Sequence, residues 1–217
     1  MPAPPKPPDL LLQVRQLCVR RGERRLFADL SFALEPGRAL FVRGANGCGK
    51  TTLLRTVCGL ARAESGEICW RGADIHKNRE AYARELAYVG HPPALKEELS
   101  AIENLALALA LSGRPADDAA CFKALDEVGL GDRVDLPARS LSQGQRRRVH
   151  MARLLNSRDA TLWVLDEPLA ALDVSAVDWL EALLDSHLAA GKALLITSHQ
   201  PLRLGSRWDE LALDPPC

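Results

Sequence analysis

The most constraining feature of this sequence is a glycine-rich segment at residues 44–51, which reads GANGCGKT. An apolar run at residues 38–43 precedes it and predicts a strand, and a helix is expected to begin near Lys50 and to end at Gly59. Glycines let backbone N–H groups close around an anion, and the start of a helix adds partial positive charge. The pattern G-x-x-x-x-G-K-[ST] between a strand and a helix therefore predicts a phosphate-binding loop.

The same pattern predicts the roles of individual residues in the loop. Lys50 is expected to reach the β- and γ-phosphates of a nucleotide, and the Thr51 hydroxyl is expected to ligate Mg²⁺. A nucleotide and Mg²⁺ are therefore predicted to bind at this loop. A further hypothesis is that the Cys48 thiol is sensitive to oxidants, because thiols at helix N-termini ionise more easily. The predicted nucleotide-binding residues of this segment are Gly44, Ala45, Asn46, Gly47, Cys48, Gly49, Lys50, Thr51 and Thr52.

A second motif, LWVLDE at residues 162–167, places two acids at the end of an apolar run. The run is typical of a buried parallel strand, and the carboxyl ends of such strands carry the ligand sites of open α/β sheets. Asp166 is the predicted Mg²⁺ ligand, and Glu167 is predicted to activate an attacking water. Because the two acids are adjacent at a strand end, we expect their side chains on opposite sides.

Composition limits the class of protein. The 217 residues include 28 basic and 28 acidic ones, and apolar residues make up 47%, as in a globular chain. A net charge of zero gives no reason to expect a nucleic-acid partner. The longest apolar run, at residues 105–111, is far below the 18 or more residues that span a bilayer, so we do not expect a channel or carrier in this chain alone. We expect that run in a hydrophobic core.

Strand-like and helical segments alternate along the chain, which predicts an α/β fold. Residues 1–9 predict a flexible Pro-rich tail, and residues 10–217 predict one domain. Its core is expected at about 10–91 and 157–217, with an inserted helical lobe at about 92–156. The other predicted strands are 11–17, 30–34, 67–70, 86–89, 161–166 and 193–197, and the other predicted helices are 101–111, 116–128, 142–155 and 174–190.

Residues 141–145 read LSQGQ and resemble the LSGGQ signature of ABC-type ATPases, with Gln143 in place of a glycine. Ser142 is a candidate N-cap for the next helix. Ala171-Leu172-Asp173 is similar to the D-loop, and His199 to the catalytic H-loop histidine. The resemblance implies a P-loop NTPase with a mixed sheet core and a helical signature lobe. It also implies that a second copy stacks head to tail. In that dimer, the nucleotide site of the partner copy would be completed by Ser142, Gly144, Gln145 and Asp173. The arginine run 146–148 is interpreted as a solvated helix face.

Two positions depart from the family pattern. The aromatic residue that stacks on adenine is replaced by Arg20 or Arg21, of which we assign Arg21, and a guanidinium plane also stacks on a base. The Q-loop glutamine is replaced by His91, which is assigned a catalytic part. A neutral imidazole there would hydrogen-bond a water near Mg²⁺, whereas a protonated one would repel the metal.

The stretch 79–104, REAYARELAYVGHPPALKEELSAIENL, resembles the ATP-binding subunits of the heme exporter of bacterial cytochrome c maturation. The resemblance covers nearly the whole chain. It implies a peripheral ATP hydrolase on the cytoplasmic face of the bacterial inner membrane, bound to an integral-membrane permease and to heme-handling membrane proteins, which drives heme-chaperone traffic. Two alternatives remain: the ATPase of a different ABC transporter, and an ATP-gated clamp that remodels a membrane assembly without transport.

Overall fold

The computed structural model describes residues 10–205 and 208–213, so the predicted tail at residues 1–9 lies outside the described residues. The strands are β1 (Leu12–Arg21), β2 (Arg24–Leu34), β3 (Ala39–Arg43), β4 (Ser65–Trp70), β5 (Ala73–Asp74), β6 (Leu86–Val89), β7 (Leu162–Asp166), β8 (Ala193–Thr197) and β9 (Trp208–Ala212). The α-helices are α1 (Lys50–Val57), α2 (Arg79–Arg84), α3 (Ala101–Leu111), α4 (Asp118–Glu127), α5 (Gln143–Ala152) and α6 (Val174–Ala189).

Five strands form a parallel sheet in the order β6-β7-β8-β3-β9. Its inner strands β7 and β8 are buried throughout, as their apolar sequences predict. Because the strands are parallel, their carboxyl ends meet at one edge of the sheet. The segments that leave β3, β6, β7 and β8 therefore start side by side, and each carries a predicted site residue.

The other four strands form an antiparallel sheet in the order β2-β1-β4-β5. β1 and β2 make a hairpin that turns at Gly22, whose φ is 61°, so that Arg21 pairs with Arg24. Apolar residues from this sheet, from α1 and from one face of the parallel sheet pack into one hydrophobic core cluster. A second cluster lies between the parallel sheet and α6. α1 thereby packs in the core that the two sheets share.

The helices α3, α4 and α5 pack around a third cluster that includes Leu105, Leu125 and Val149. α3 begins with a capping box between Ser100 and Glu103, which satisfies backbone N–H groups at its start. Among the described residues, no helix is both long and apolar enough to cross a bilayer.

The α/β prediction is confirmed, and the antiparallel and parallel strands divide between two sheets. All predicted strands and helices are present. β5, α2 and β9 were not predicted, because β5 is two residues long and the sequence of β9 (WDELA) has little apolar character. The expectation that the run 105–111 lies in a core is wrong for Leu107 and Leu111: both are exposed, since α3 packs on its cluster along one face only.

Candidate nucleotide-binding site

The phosphate-binding loop connects β3 to α1. Gly44 has φ 152°, and a Cβ there would lie 2.6 Å from Cys48 Sγ and 2.8 Å from Leu213 O, so only glycine fits. Gly49 has φ 108° and precedes α1, and no described side chain caps the helix there. The first N–H groups of α1 are thus left to an external acceptor, as an anion site requires.

Lys50 lies over the loop that it follows. Its Nζ donates to Gly44 O at 2.8 Å and to Ala45 O at 3.3 Å. Phosphate oxygens would take the place of these carbonyls. The Cys48 side chain is buried in the core, and its N–H donates to Ala45 O at 3.2 Å. Burial shields the thiol from oxidants, which removes the basis for the redox hypothesis.

The acids at the end of β7 are fixed by one hydroxyl of β8. Thr197 Oγ1 donates to Asp166 Oδ1 at 2.8 Å and accepts from the Glu167 N–H at 2.9 Å. Asp166 is 1% exposed, and its Oδ2 is buried without a hydrogen-bond partner among the described residues. A buried carboxylate oxygen without a hydrogen-bond partner from the protein is suited to bind a cation.

Glu167 adopts a left-handed backbone conformation, with φ 50°. Its Oε2 accepts from the His199 N–H at 3.1 Å, and His199 Nε2 lies 3.4 Å from Oε1, without hydrogen-bond alignment. The expectation that Asp166 and Glu167 point to opposite sides is wrong. It assumed that the strand continues, whereas the left-handed turn lets both residues line the same cavity.

That cavity has a volume of about 590 Å³, within the usual range for small-molecule sites. It brings together most of the predicted site residues from five separate segments. Those that line it are Arg21, Asn46, Gly47, Gly49, Lys50, Thr51, Thr52, His91, Asp166, Glu167 and His199. Leu26, Leu169, Ala170 and Gln200 also line it, although no sequence motif marked them.

The predicted signature residues lie elsewhere. Among the described residues that line the cavity, none is Ser142, Gly144, Gln145 or Asp173. Ser142 begins α5 with a capping box: its Oγ accepts from the Gln145 N–H at 3.2 Å, and its own N–H donates to Gln145 Oε1 at 2.9 Å. A Cβ on Gly144 would lie 3.0 Å from Ala171 O, so a larger residue would crowd the D-loop segment.

Asp173 caps α6 by accepting from the Ala176 N–H at 3.0 Å, and it pairs with Arg148 of α5. The pKa of Asp173 is lowered, first by this backbone hydrogen bond and also by Ser175 and Arg148. The signature and D-loop residues therefore form one surface, with Ser142 and Asp173 exposed and separate from the cavity.

Comparison with known proteins identifies this arrangement. Residues 27–170 match the model of the ABC transporter family. The cytochrome c biogenesis ATP-binding export protein CcmA of Nitrosomonas europaea is 48% identical over 198 residues, which cover 91% of this chain and 92% of that protein. The chain belongs to the CcmA family of ABC transporter ATP-binding proteins. CcmA of Aromatoleum aromaticum is 50% identical over 190 residues, covering 88% and 89%.

Solved structures agree with this assignment. A putative ABC transporter ATP-binding protein from Pyrococcus furiosus superposes with a TM-score of 0.77 at 27% identity, over 92% of this chain and 96% of that one. The predicted ABC-type fold is confirmed. As a member of the CcmA family, the chain is an ABC ATPase that binds and hydrolyses ATP and energises a membrane transporter.

The donor set of this ABC ATPase fits Mg²⁺. The described residues hold no group of three or more His, Cys, Asp or Glu side chains arranged for a metal. Mg²⁺ is usually bound by one or two protein oxygens together with phosphates and water. Thr51 and Asp166 line the cavity beside the phosphate-binding loop, and Asp166 Oδ2 has no hydrogen-bond partner within the described part of the chain. These two residues would hold the ion.

Sequence reasoning missed two supporting residues of this ABC ATPase. Thr197 was seen only as a strand residue, and its hydroxyl organises both acids. Arg147 was assigned to a solvated helix face, which is wrong: the residue is 2% exposed, and its guanidinium hydrogen-bonds to the segments after β6 and β7. Arg146 and Arg148 are partly covered. The helical period of α5 marks Arg147 as an inward position together with His150, and that signal was available in the sequence.

Proposed function

We propose that the chain is the ATP-hydrolysing subunit of a complex on the cytoplasmic face of the bacterial inner membrane. The complex would use ATP to drive heme-chaperone traffic during assembly of c-type cytochromes, together with an integral-membrane permease and heme-handling proteins. The names of the related CcmA proteins support the pathway. The observation that carries the ATPase proposal is that Lys50, Asp166 and Glu167 line one cavity.

Each side chain has a part in hydrolysis. The loop N–H groups and Lys50 would bind the β- and γ-phosphates, and Thr51 and Asp166 would hold Mg²⁺, which would neutralise phosphate charge. Glu167 orients a water and accepts its proton, and His199 keeps the Glu167 carboxylate in place through its N–H. His91 lines the cavity at the Q-loop position and would hydrogen-bond a water near the phosphates.

A second copy of the chain would complete the site. Ser142, Gly144, Gln145 and Asp173 lie on a surface outside the cavity, so within one copy they are not positioned against a nucleotide in that cavity. In a head-to-tail dimer the N-terminus of α5 would face the γ-phosphate bound by the partner copy, where its N–H groups and helix dipole favour an anion. Both sites form only when two copies meet.

The permease would bind in a groove of about 560 Å³ beside the nucleotide cavity. His91, Pro92 and Ala94 line it, together with the exposed side chains of Leu60 and Leu111, and Leu111 is 80% exposed. A groove that presents exposed leucine side chains next to His91 supports a docking site that senses nucleotide through this residue. The groove runs along the proposed boundary between the core (about 10–91 and 157–217) and the helical lobe (about 92–156).

The carboxylate pair provides the test of this function. Glu167→Gln should keep ATP affinity within a few-fold and lower phosphate release by about a hundredfold or more, because only the water-activating group is lost. Asp166→Asn should instead weaken the Mg²⁺-dependent part of ATP binding. The measurements are ATP affinity with and without Mg²⁺ and steady-state phosphate release by the purified chain.

The same variants test the pathway in the source bacterium. After deletion of the gene, the wild-type chain should restore heme-stained c-type cytochromes, and Glu167→Gln should not. Phosphate release by Glu167→Gln at the wild-type rate would remove Glu167 from catalysis. Normal cytochromes in the deletion strain would assign the chain to a different transporter.

A further inference from the structure

Arg147 is a buried cation without a carboxylate hydrogen-bond partner among the described residues. Its side chain lies on the inner face of α5, and all its hydrogen bonds go to main-chain carbonyls from two other segments of the chain. The acceptors are Gly90 (3.2 Å), His91 (2.6 Å), Asp166 (3.2 Å), Pro168 (3.3 Å) and Glu167. Burial lowers the pKa of Arg147 to about 10, so it stays protonated at neutral pH. A buried charge needs this many acceptors to be tolerated.

One of these hydrogen bonds fixes the main chain at Glu167. The Glu167 N–H is bound by Thr197 Oγ1, as described above, and the Glu167 carbonyl accepts from Arg147 Nη2. The residue is therefore fixed at both peptide groups in a left-handed conformation that is strained for a non-glycine residue. Such a conformation persists only when its surroundings determine it. Arg147 thus helps set where the Glu167 carboxylate points.

The bonds to Gly90 and His91 hold a second part of the site. His150, one turn further along α5, lies with its Nε2 3.2 Å from Gly90 O. Burial lowers the pKa of His150 to about 3, so its ring is neutral at physiological pH and Nε2 is the donor in this contact. Two side chains of α5 therefore fix the segment that carries His91 into the cavity.

The other end of α5 is its capped N-terminus at Ser142, on the surface that would face the nucleotide of the partner copy. A helix is stiff over such a short distance, so a shift at Ser142 moves Arg147 with it. We infer that Arg147 is a positioning residue that links the two sites: it makes the orientation of Glu167 in one copy depend on the contact of α5 with the ATP held by the other copy. This inference rests on the proposed function.

The test compares Arg147→Met, Arg147→Lys and a matched control in the purified full chain. Arg147→Met keeps the apolar stem and removes every donor. It should lower kcat at least about tenfold, leave KM for ATP within about threefold, and bring the Hill coefficient for ATP close to 1. Arg147→Lys keeps the charge but reaches fewer carbonyls, and its kcat and Hill coefficient should lie between those of the wild type and Arg147→Met.

The matched control is Arg146→Met, on the same helix. Arg146 donates to the carbonyls of Leu141 and Arg139 and contacts Glu97, and none of its hydrogen bonds among the described residues goes to Gly90, His91 or residues 166–168. Its kcat should stay within about twofold of the wild type. If Arg147→Met is too unstable to purify, Arg147→Lys decides the matter. A wild-type kcat and Hill coefficient in a folded Lys variant would overturn the inference.

The outcome is separable from a failure of the proposed function. In the same assay Glu167→Gln tests the hydrolytic site itself. If Glu167→Gln loses turnover while Arg147→Lys keeps a wild-type kcat and Hill coefficient, the site stands and the positioning role is wrong. If Glu167→Gln keeps turnover, the proposed function fails first, and the inference fails with it.

Discussion

Arg21 lies at the rim of the nucleotide cavity, where the β1–β2 hairpin turns. It pairs across the hairpin with Arg24, and Arg20 faces Arg25 in the same way. Like charges directly opposite each other destabilise an antiparallel pair, and Glu64, 3.7 Å from Arg20, offsets only part of this. The assignment of Arg21 to the base depends on its place in the cavity lining and on the planar guanidinium, which can stack on a base.

We predict that Arg21→Ala weakens ATP and GTP binding by similar factors of at least about fivefold, since a guanidinium plane stacks on either base. Competition of each nucleotide against a fluorescent analogue measures both factors. Arg25→Ala is the control, because it removes the same charge but is not among the described residues that line the cavity. It should change either affinity less than about twofold. A loss confined to ATP would mean that Arg21 selects adenine.

Single residues were predictable where the chemistry is carried by a local pattern. Lys50, Thr51, Asp166 and Glu167 belong to short motifs in which each residue type is dictated by phosphate or metal binding. The helical period marks Arg147 as buried, but its contacts could not be predicted, because their acceptors are backbone carbonyls some 20 and 56 residues away in sequence. A carbonyl is present at every position, so the sequence alone does not mark which ones a guanidinium will reach.

At the scale of elements, the packing of α6 on the parallel sheet depends on a buried histidine. The ring of His187 stacks on Trp163 of β7, with centroids 3.9 Å apart, and its Nε2 lies 3.1 Å from Ala193 O of β8. Burial lowers the pKa of His187 to about 4. The same cause lowers the pKa of His150 in α5 to about 3. Both helices are thus packed on the core through neutral imidazoles.

This predicts a loss of stability in mild acid. Below pH 6.5, the ordinary pKa of the ring, the unfolded chain binds protons that the folded chain excludes until about pH 4, so the free energy of unfolding falls as pH falls through this window. Each histidine contributes up to about 1.4 kcal/mol per pH unit. Thermal unfolding between pH 7.5 and 5 should show a shallower acid decline for His187→Gln than for the wild type. The exposed His76→Gln is the control and should leave the slope unchanged.

Elements were predictable where one face is apolar and the ends are marked. β6, α3 and β8 begin and end at their predicted residues, since each has a dense apolar pattern between breakers. β9 is an edge strand with mostly exposed side chains, so its place in the sheet depends on hydrogen bonds to β3 rather than on burial. Only the tertiary structure supplies that partner.

For the molecule as a whole, the separation of the signature surface from the cavity predicts nucleotide-dependent assembly. Light scattering on Glu167→Gln with ATP should give about twice the chain mass of 23.7 kDa, and the nucleotide-free chain should be monomeric. Adding Ser142→Asp to that variant tests whether the signature surface forms the dimer interface. Asp caps a helix as well as Ser does, so α5 should survive, but its charge would repel the γ-phosphate of the partner and keep the chain monomeric. A dimer that tolerates Ser142→Asp would place the interface elsewhere.

The cation position at Asp166 has a consequence for the stability of the protein in the cell. Asp166 ends β7 and Thr51 lies in α1, so only the folded chain brings these two proposed Mg²⁺ ligands to one cavity. Whatever binds only the folded form stabilises it, so magnesium and nucleotide together would raise the free energy of unfolding. The empty chain is therefore the form most exposed to proteolysis. Supply of magnesium nucleotide would then govern the abundance of this subunit as well as its rate of turnover.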